Sequence, residues 1–159
     1  DYCGQTGLKQ QRARLSIESF KHSGGTTKRT EKLARKAAEA HNRKQEEIRK
    51  LIQSSQTPKS LNRGNQNKHI RGSSGYINGR SYVYGGLDAM QKLVDKYSGT
   101  GEPKLTKGLE WTHKEFITLD APVGVAIIQD TGERVETKRI AIHYGKRGTH
   151  VVPVKEEAE

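Results

Sequence analysis

The chain has 159 residues with 29 Lys and Arg against 18 Asp and Glu, a net charge of +11, 31% apolar residues, 17 glycines and one cysteine. It holds no run of about 18 or more apolar residues, which leaves no spanning helix available, and a lone Cys3 leaves no disulfide framework inside the chain. The charge is uneven: the first 60 residues carry 14 Lys and Arg against 6 Asp and Glu, the remaining 99 carry 15 against 12, so +8 of the +11 sits in the first part. The expected organisation is a basic, partly helical arm and linker over residues 1–60, then a folded domain over residues 61–159.

Residues 1–30 offer two weak apolar positions, Leu15 and Phe20, and read as mobile or docked elsewhere. The chain begins with Asp1 and shows no signal-peptide core, which reads as a piece of a longer polypeptide. From Thr30 to Ile52 a run of Glu, Lys, Ala, Arg and Gln predicts a helix. Its apolar stripe is meagre (Ala34, Ala37, Ala38, His41, Ile48, Leu51, Ile52), so it is expected as a solvated spacer or as a stalk that leans on a partner. Gln53 to Lys59 reads as the linker.

The segment Asn62 to Tyr76 has too many Gly and Asn residues for a regular element and enough donors to wrap a polyanion. Asn78 and Gly79 mark a turn before a short strand, Arg80 to Tyr84. Leu87, Met90, Leu93, Val94 and Tyr97 then fall at helical spacing up to Gly99. After a Gly-Thr-Gly-Glu-Pro break come four strand candidates: Trp111 to Asp120, Val123 to Gln129, Val135 to Tyr144 and His150 to Val154. The fold class is thus α+β, a helix packed on one face of a four-stranded antiparallel sheet, with the basic helical arm in front. Such a domain is large enough to bury one modest core without the arm.

The last ribbon carries the densest chemistry. Ile140 and Ile142 alternate with Arg139, Ala141 and His143, giving an aliphatic face and a cationic, titratable one. Gly145 to Gly148 reads as a turn bearing Lys146 and Arg147. His150 opens the return strand, sharing parity with Val152 and Val154, so its ring either tucks toward the core or joins the open face. Tyr144 shares parity with Ile140 and Ile142, which means packing unless the strand twists at Gly145.

Few carboxylates converge in the domain, where Asp88, Asp95, Asp120 and Asp130 are scattered, so a two-metal nuclease fits poorly. Metal-free RNA cleavage needs a base for the 2′-hydroxyl, an acid for the departing 5′-oxygen and cations for the phosphate. His69, His143 and His150 supply the first two, Tyr144 lies adjacent, and Lys68, Arg71, Arg80, Arg139, Lys146 and Arg147 supply the third.

The same residues carry a resemblance. Asn67-Lys-His-Ile-Arg-Gly72, Tyr76, Gly79-Arg-Ser81, Thr137 and the ribbon Ile142-His-Tyr-Gly-Lys-Arg-Gly-Thr-His-Val-Val-Pro153 resemble the bacterial polymorphic-toxin type 50 domain, over roughly Asn62 to Pro153. The resemblance implies a metal-independent ribonuclease toxin of the barnase, EndoU, colicin and RelE-like superfamily. No cofactor is expected, and with the 2′-hydroxyl as nucleophile the expected product is a 2′,3′-cyclic phosphate. His69, Tyr144, Lys146 and His150 match motif positions and are expected as catalytic with His143. Lys68, Arg71, Arg80, Ser81, Thr137, Arg139 and Arg147 are expected to bind substrate. Gly145 stands where the family pattern has a serine.

The partners implied are RNA, an acidic immunity protein, and a phage portal or larger delivery polypeptide; the place of action is a target cell's cytoplasm or a virion. Two rival readings stay open. One is a phage minor capsid or portal-associated structural protein with a binding-only C-terminal domain, the other a nonspecific nucleic-acid-binding module. A metal-dependent histidine nuclease would differ in losing activity to EDTA.

Overall fold

A computed structural model describes residues 27–156; the expectations for Cys3, Leu15 and Phe20 lie outside the described residues. Along the chain come α1 (Lys28–Gln53), α2 (Arg63–Asn67), β1 (Tyr82–Val83), α3 (Leu87–Tyr97), β2 (Glu102–Leu105), β3 (Trp111–Thr118), β4 (Gly124–Ile127), β5 (Arg134–Thr137), β6 (Arg139–Gly145) and β7 (Gly148–Val154). All strand pairs within the two sheets are antiparallel: β2-β3-β6-β7 form one and β1-β4-β5 the other. The α+β class is as expected; the strands, however, are shared between two sheets.

Two differences explain that division. The run Val135 to Tyr144 breaks at Lys138 into β5 and β6. There the Thr137 hydroxyl donates to the Val154 carbonyl at 2.6 Å and accepts from the Arg139 amide at 3.0 Å, so the chain steps from one sheet into the other. The expected Gly-Thr-Gly-Glu-Pro break instead leads into β2, an edge strand, where Pro103 needs no ladder donor on its outer side.

The helix α1 starts where Thr27 caps the Thr30 amide, and Glu31 and Lys50 sit at its ends with the sign the helix dipole favours. Its second half departs from the solvated spacer expected of the arm. Ile48 and Ile52 enter the core with Met90 and Val94 of α3 and with Ile117, Ile140, Ile142 and Val151 of the four-stranded sheet.

Beside them Gln45, Arg49 and Gln53, one turn apart, donate to the carbonyls of Pro103 (3.2 Å), Gly101 (2.7 Å) and Gly99 (2.9 Å). They supply donors to the approach and edge of β2 that no neighbouring strand provides. Removing residues 1–60 is therefore expected to destabilise the remainder: each fully buried isoleucine contributes about 1.5–3 kcal/mol, and the β2 edge loses its donors. Thermal melts of the full chain and of residues 61–159, followed by circular dichroism, check this; equal melting temperatures would refute it.

Candidate functional site

Cross-strand register builds the site. Lys114 of β3 pairs with His143 of β6, and His143 pairs with His150 of β7, so three side chains stand side by side on one rung. Alternation puts them opposite Ile140, Ile142 and Val151, on the face turned away from α1 and α3. His150 thus joins His143 on that face, which is part-exposed at the two imidazoles and closed further along, at Phe116, Ala141 and Arg139. The His143 and His150 ring centroids are 4.5 Å apart.

The third imidazole arrives from α2, a short helix in the segment where no regular element was expected. Asn62 caps it, accepting from the Asn65 amide at 3.1 Å. What fixes it against the sheet is the outer edge of β7. Ser60 and Asn62 pair with Thr149, and the buried Gln66 side chain takes the place of a strand partner, accepting from the Val151 amide at 2.7 Å and donating to its carbonyl at 3.0 Å. Gly148, at φ +118, lets this segment approach where a Cβ would strike the Ser60 carbonyl.

His69 consequently lies parallel to His150, with centroids 6.0 Å apart and planes within 5°. Its backbone carbonyl accepts from the Val83 amide at 2.9 Å, and its Nδ1 is 2.8 Å from the Ser81 carbonyl. A carbonyl only accepts, so Nδ1 carries the proton and Nε2 of the neutral ring holds the lone pair.

All three rings resist protonation. Burial, then the neighbouring His150 and Lys114, push His143 down to about 3. Burial, then His69 and Lys68, push His150 down to about 4. His69 lies below its usual value, chiefly through burial, against which the Ser81 hydrogen bond pulls upward while Arg80 and Lys68 press it down. At neutral pH the cluster is therefore a set of uncharged imidazoles within a cationic surround. Among the described residues no group of three or more His, Cys, Asp or Glu side chains is arranged to hold a metal ion, and no helix is long and apolar enough to cross a membrane.

The other expected site residues divide. Lys68, Arg71 and Arg80 are exposed; the charges of Lys68 and Arg80 act on His69, and Arg71 lies over the Tyr82 ring. Ser81 serves through its backbone carbonyl, while its hydroxyl accepts from the Ile127 amide. Thr137 is 1% exposed and joins β5, β6 and β7, leaving no surface to a ligand. Arg139, four rungs along β6 from His143, is buried with its guanidinium 4.8 Å from the centre of the Phe116 ring and 4.0 Å from Glu102.

Tyr144 is not brought to the cluster. It packs on the helix side, and its hydroxyl donates to Glu115 Oε1 at 2.7 Å. Burial, followed by the charge of Glu115, raises its pKa. Lys146 and Arg147 are exposed in the β6–β7 turn, and Lys146 lines a groove of about 600 Å³ with Tyr144, Trp111, His113, Leu51 and Pro58.

Two contributors escaped the sequence reading. Lys114 could have been found from the alternation Thr112, Lys114, Phe116, Thr118, but its pairing with His143 has no local signal. Gln66 carried no signal at all, since it acts through its side-chain amide on a strand 85 residues away.

No curated protein matches the chain. A family model does match over residues 61–153, which begins at the segment paired with β7 and ends within β7 itself, so that it takes in all three imidazoles. The chain belongs to the bacterial toxin 50 family.

Proposed function

We propose that this toxin-family chain is a metal-independent endoribonuclease whose reaction centre is the cluster of His69, His143 and His150. The observation that carries the reading is that the His150 ring faces both other imidazoles, with centroids 4.5 Å from His143 and 6.0 Å from His69, on the sheet face turned away from α1 and α3, with Lys114 on the same rung and Lys68 close enough to depress its pKa. His69 Nε2 takes the proton of a ribose 2′-hydroxyl. The 2′-oxygen attacks the adjacent phosphorus, the bond from phosphorus to the 5′-oxygen breaks, and that oxygen receives a proton from His150. The products are a 2′,3′-cyclic phosphate and a free 5′-hydroxyl.

His143, the more strongly depressed of the strand pair, is the weaker candidate for the acid, and it braces His150 instead. A bound phosphodiester brings a negative charge that favours the imidazolium form of His150, and Lys68 and Lys114 offset the growing charge on the phosphorane oxygens. An acidic immunity protein is the natural partner of so cationic a face.

Protonation sets the pH response. In the free protein the base must be neutral and the acid charged, and both groups titrate below 6.5. The maximum of kcat/KM is expected on the acid side of pH 6.5, with the alkaline limb of kcat lying higher because bound phosphate raises the acid. Rate profiles on a short RNA check this, and a kcat/KM maximum above neutrality would remove the imidazole pair from these roles. The reading itself is tested by incubating the full chain with total RNA in EDTA and analysing the product ends. Fragments ending in cyclic phosphate support it. Binding without cleavage supports a nucleic-acid-binding module, and cleavage abolished by EDTA supports a metal-dependent nuclease.

A further inference from the structure

A row of aromatic rings leads away from His69. The strand β1 follows directly on Ser81, whose carbonyl holds the His69 ring, and Tyr82 and Tyr84 point to the side opposite the buried Val83. Tyr82 meets Tyr84 at 6.5 Å and Tyr76 at 6.4 Å, centroid to centroid, the latter pair edge to face at 85°. Tyr76 is held by its hydroxyl, which donates to the Arg80 carbonyl at 2.8 Å. The exposed Arg71 lays its guanidinium 4.4 Å from the centre of the Tyr82 ring. Tyr76 and Tyr82 are part-exposed and Tyr84 is exposed, and none of the three belongs to the core cluster.

Given the ribonuclease reading, on which this inference rests, we propose that Arg71 and Tyr82 form a stacking subsite for an unpaired base of single-stranded RNA, next to the scissile phosphate. One face of the Arg71 guanidinium is backed by Tyr82; the other offers a flat cation to a nucleobase, and Tyr76 walls the place at its side. Lys68 and Arg80, exposed and close enough to His69 for their charges to lower its pKa, supply cations for the phosphates between the platform and the imidazole. The far end is limited by Tyr84, whose hydroxyl donates to Glu136, a carboxylate that repels phosphate. The strand is therefore read over Tyr82 and not beyond Tyr84. A base inside a duplex cannot reach such a platform, so the subsite selects loops and single strands.

The test is equilibrium binding of the full chain to a 2′-O-methyl oligoadenylate, which lacks the nucleophile and so separates binding from cleavage. Arg71→Ala and Arg71→Lys are both expected to bind it roughly tenfold more weakly, the scale of one lost base-stacking contact. Arg71→Lys is the decisive variant because it keeps the charge and loses the plane. Tyr82→Leu, with its fold checked by circular dichroism, should match it, and binding of the same sequence as a duplex should not respond to Arg71→Lys. If Arg71→Lys binds the single strand as the wild type does, the subsite is overturned and Arg71 is only a charge. Loss of duplex and single-strand binding in equal measure overturns it too. Wild-type protein that cleaves RNA while these variants bind normally leaves the ribonuclease reading standing alone; wild-type protein that neither binds nor cleaves RNA ends both.

Discussion

Replacing His69 with alanine is expected to lower kcat/KM for RNA by about 10² to 10⁴, and His150→Ala to do the same, because each removes one of two proton transfers. The geometry adds a condition. The two rings lie 6.0 Å apart and serve the same phosphate, so the double variant should be scarcely slower than either single one, as groups that act as a unit are not additive. His143→Ala should cost less, since its ring touches only His150 of this pair. Tyr144→Phe supplies the contrast. Its hydroxyl is committed to Glu115 on the far side of the sheet, so the variant should keep its rate within a few fold and lose stability instead. Initial rates on a fluorogenic RNA in EDTA, with melting curves for each variant, decide the matter. Near-normal rates for both His69→Ala and His150→Ala would sink the mechanism, and a Tyr144→Phe enzyme as slow as His69→Ala would move the chemistry to the groove that Tyr144 and Lys146 share.

How much of this was legible in the sequence depends on the range over which each feature is encoded. The period-two pattern of Arg139 to Tyr144 is local, and it rightly opposed His143 to the aliphatic residues and set Tyr144 among them. The α3 helix, with Met90 and Val94 inward, follows from a 3.6-residue period in the same way. Parity alone left His150 open, because Val152 and Val154 pull the reading toward the core; only the register with His143 decides it. The strand β2 was hidden by glycine and proline, residues an edge strand tolerates and a central one does not. The packing of α1 was hidden for a different reason. The stripe residues Ile48 and Ile52 do pack in the core, but they are few, and Gln45, Arg49 and Gln53 complete the docking by hydrogen bonds to backbone carbonyls. The Gln66 contact with Val151 is of the same kind, and polar side chains that replace a strand leave no periodic trace.

Glu115 is the clearest case of a residue whose effect the sequence conceals, and its removal should be the most damaging to stability. The side chain is fully buried on β3. Oε1 accepts from the Gly99 amide at 3.0 Å and the Tyr144 hydroxyl, and Oε2 accepts from the Gly101 amide at 2.8 Å. One carboxylate thereby ties β3 to β6 and to the loop that α1 grips through Arg49 and Gln53. Glu115→Ala leaves three donors without an acceptor and is expected to cost about 3 kcal/mol or more in unfolding free energy. Glu115→Gln should recover only part of this, because its NH2 group must face one of those donors. Burial raises the Glu115 pKa above 4.5 in spite of the donors and the nearby Arg49. The unfolded chain then ionises first as the pH climbs through that range, so this group disfavours folding progressively from 4.5 up to its folded pKa. The glutamine variant lacks that titration, and its deficit against the wild type should widen as the solution is acidified from neutrality. Urea unfolding of both variants at two pH values measures it; a deficit that shrinks on acidification would mean that the three donors outweigh burial and that Glu115 is held as a carboxylate.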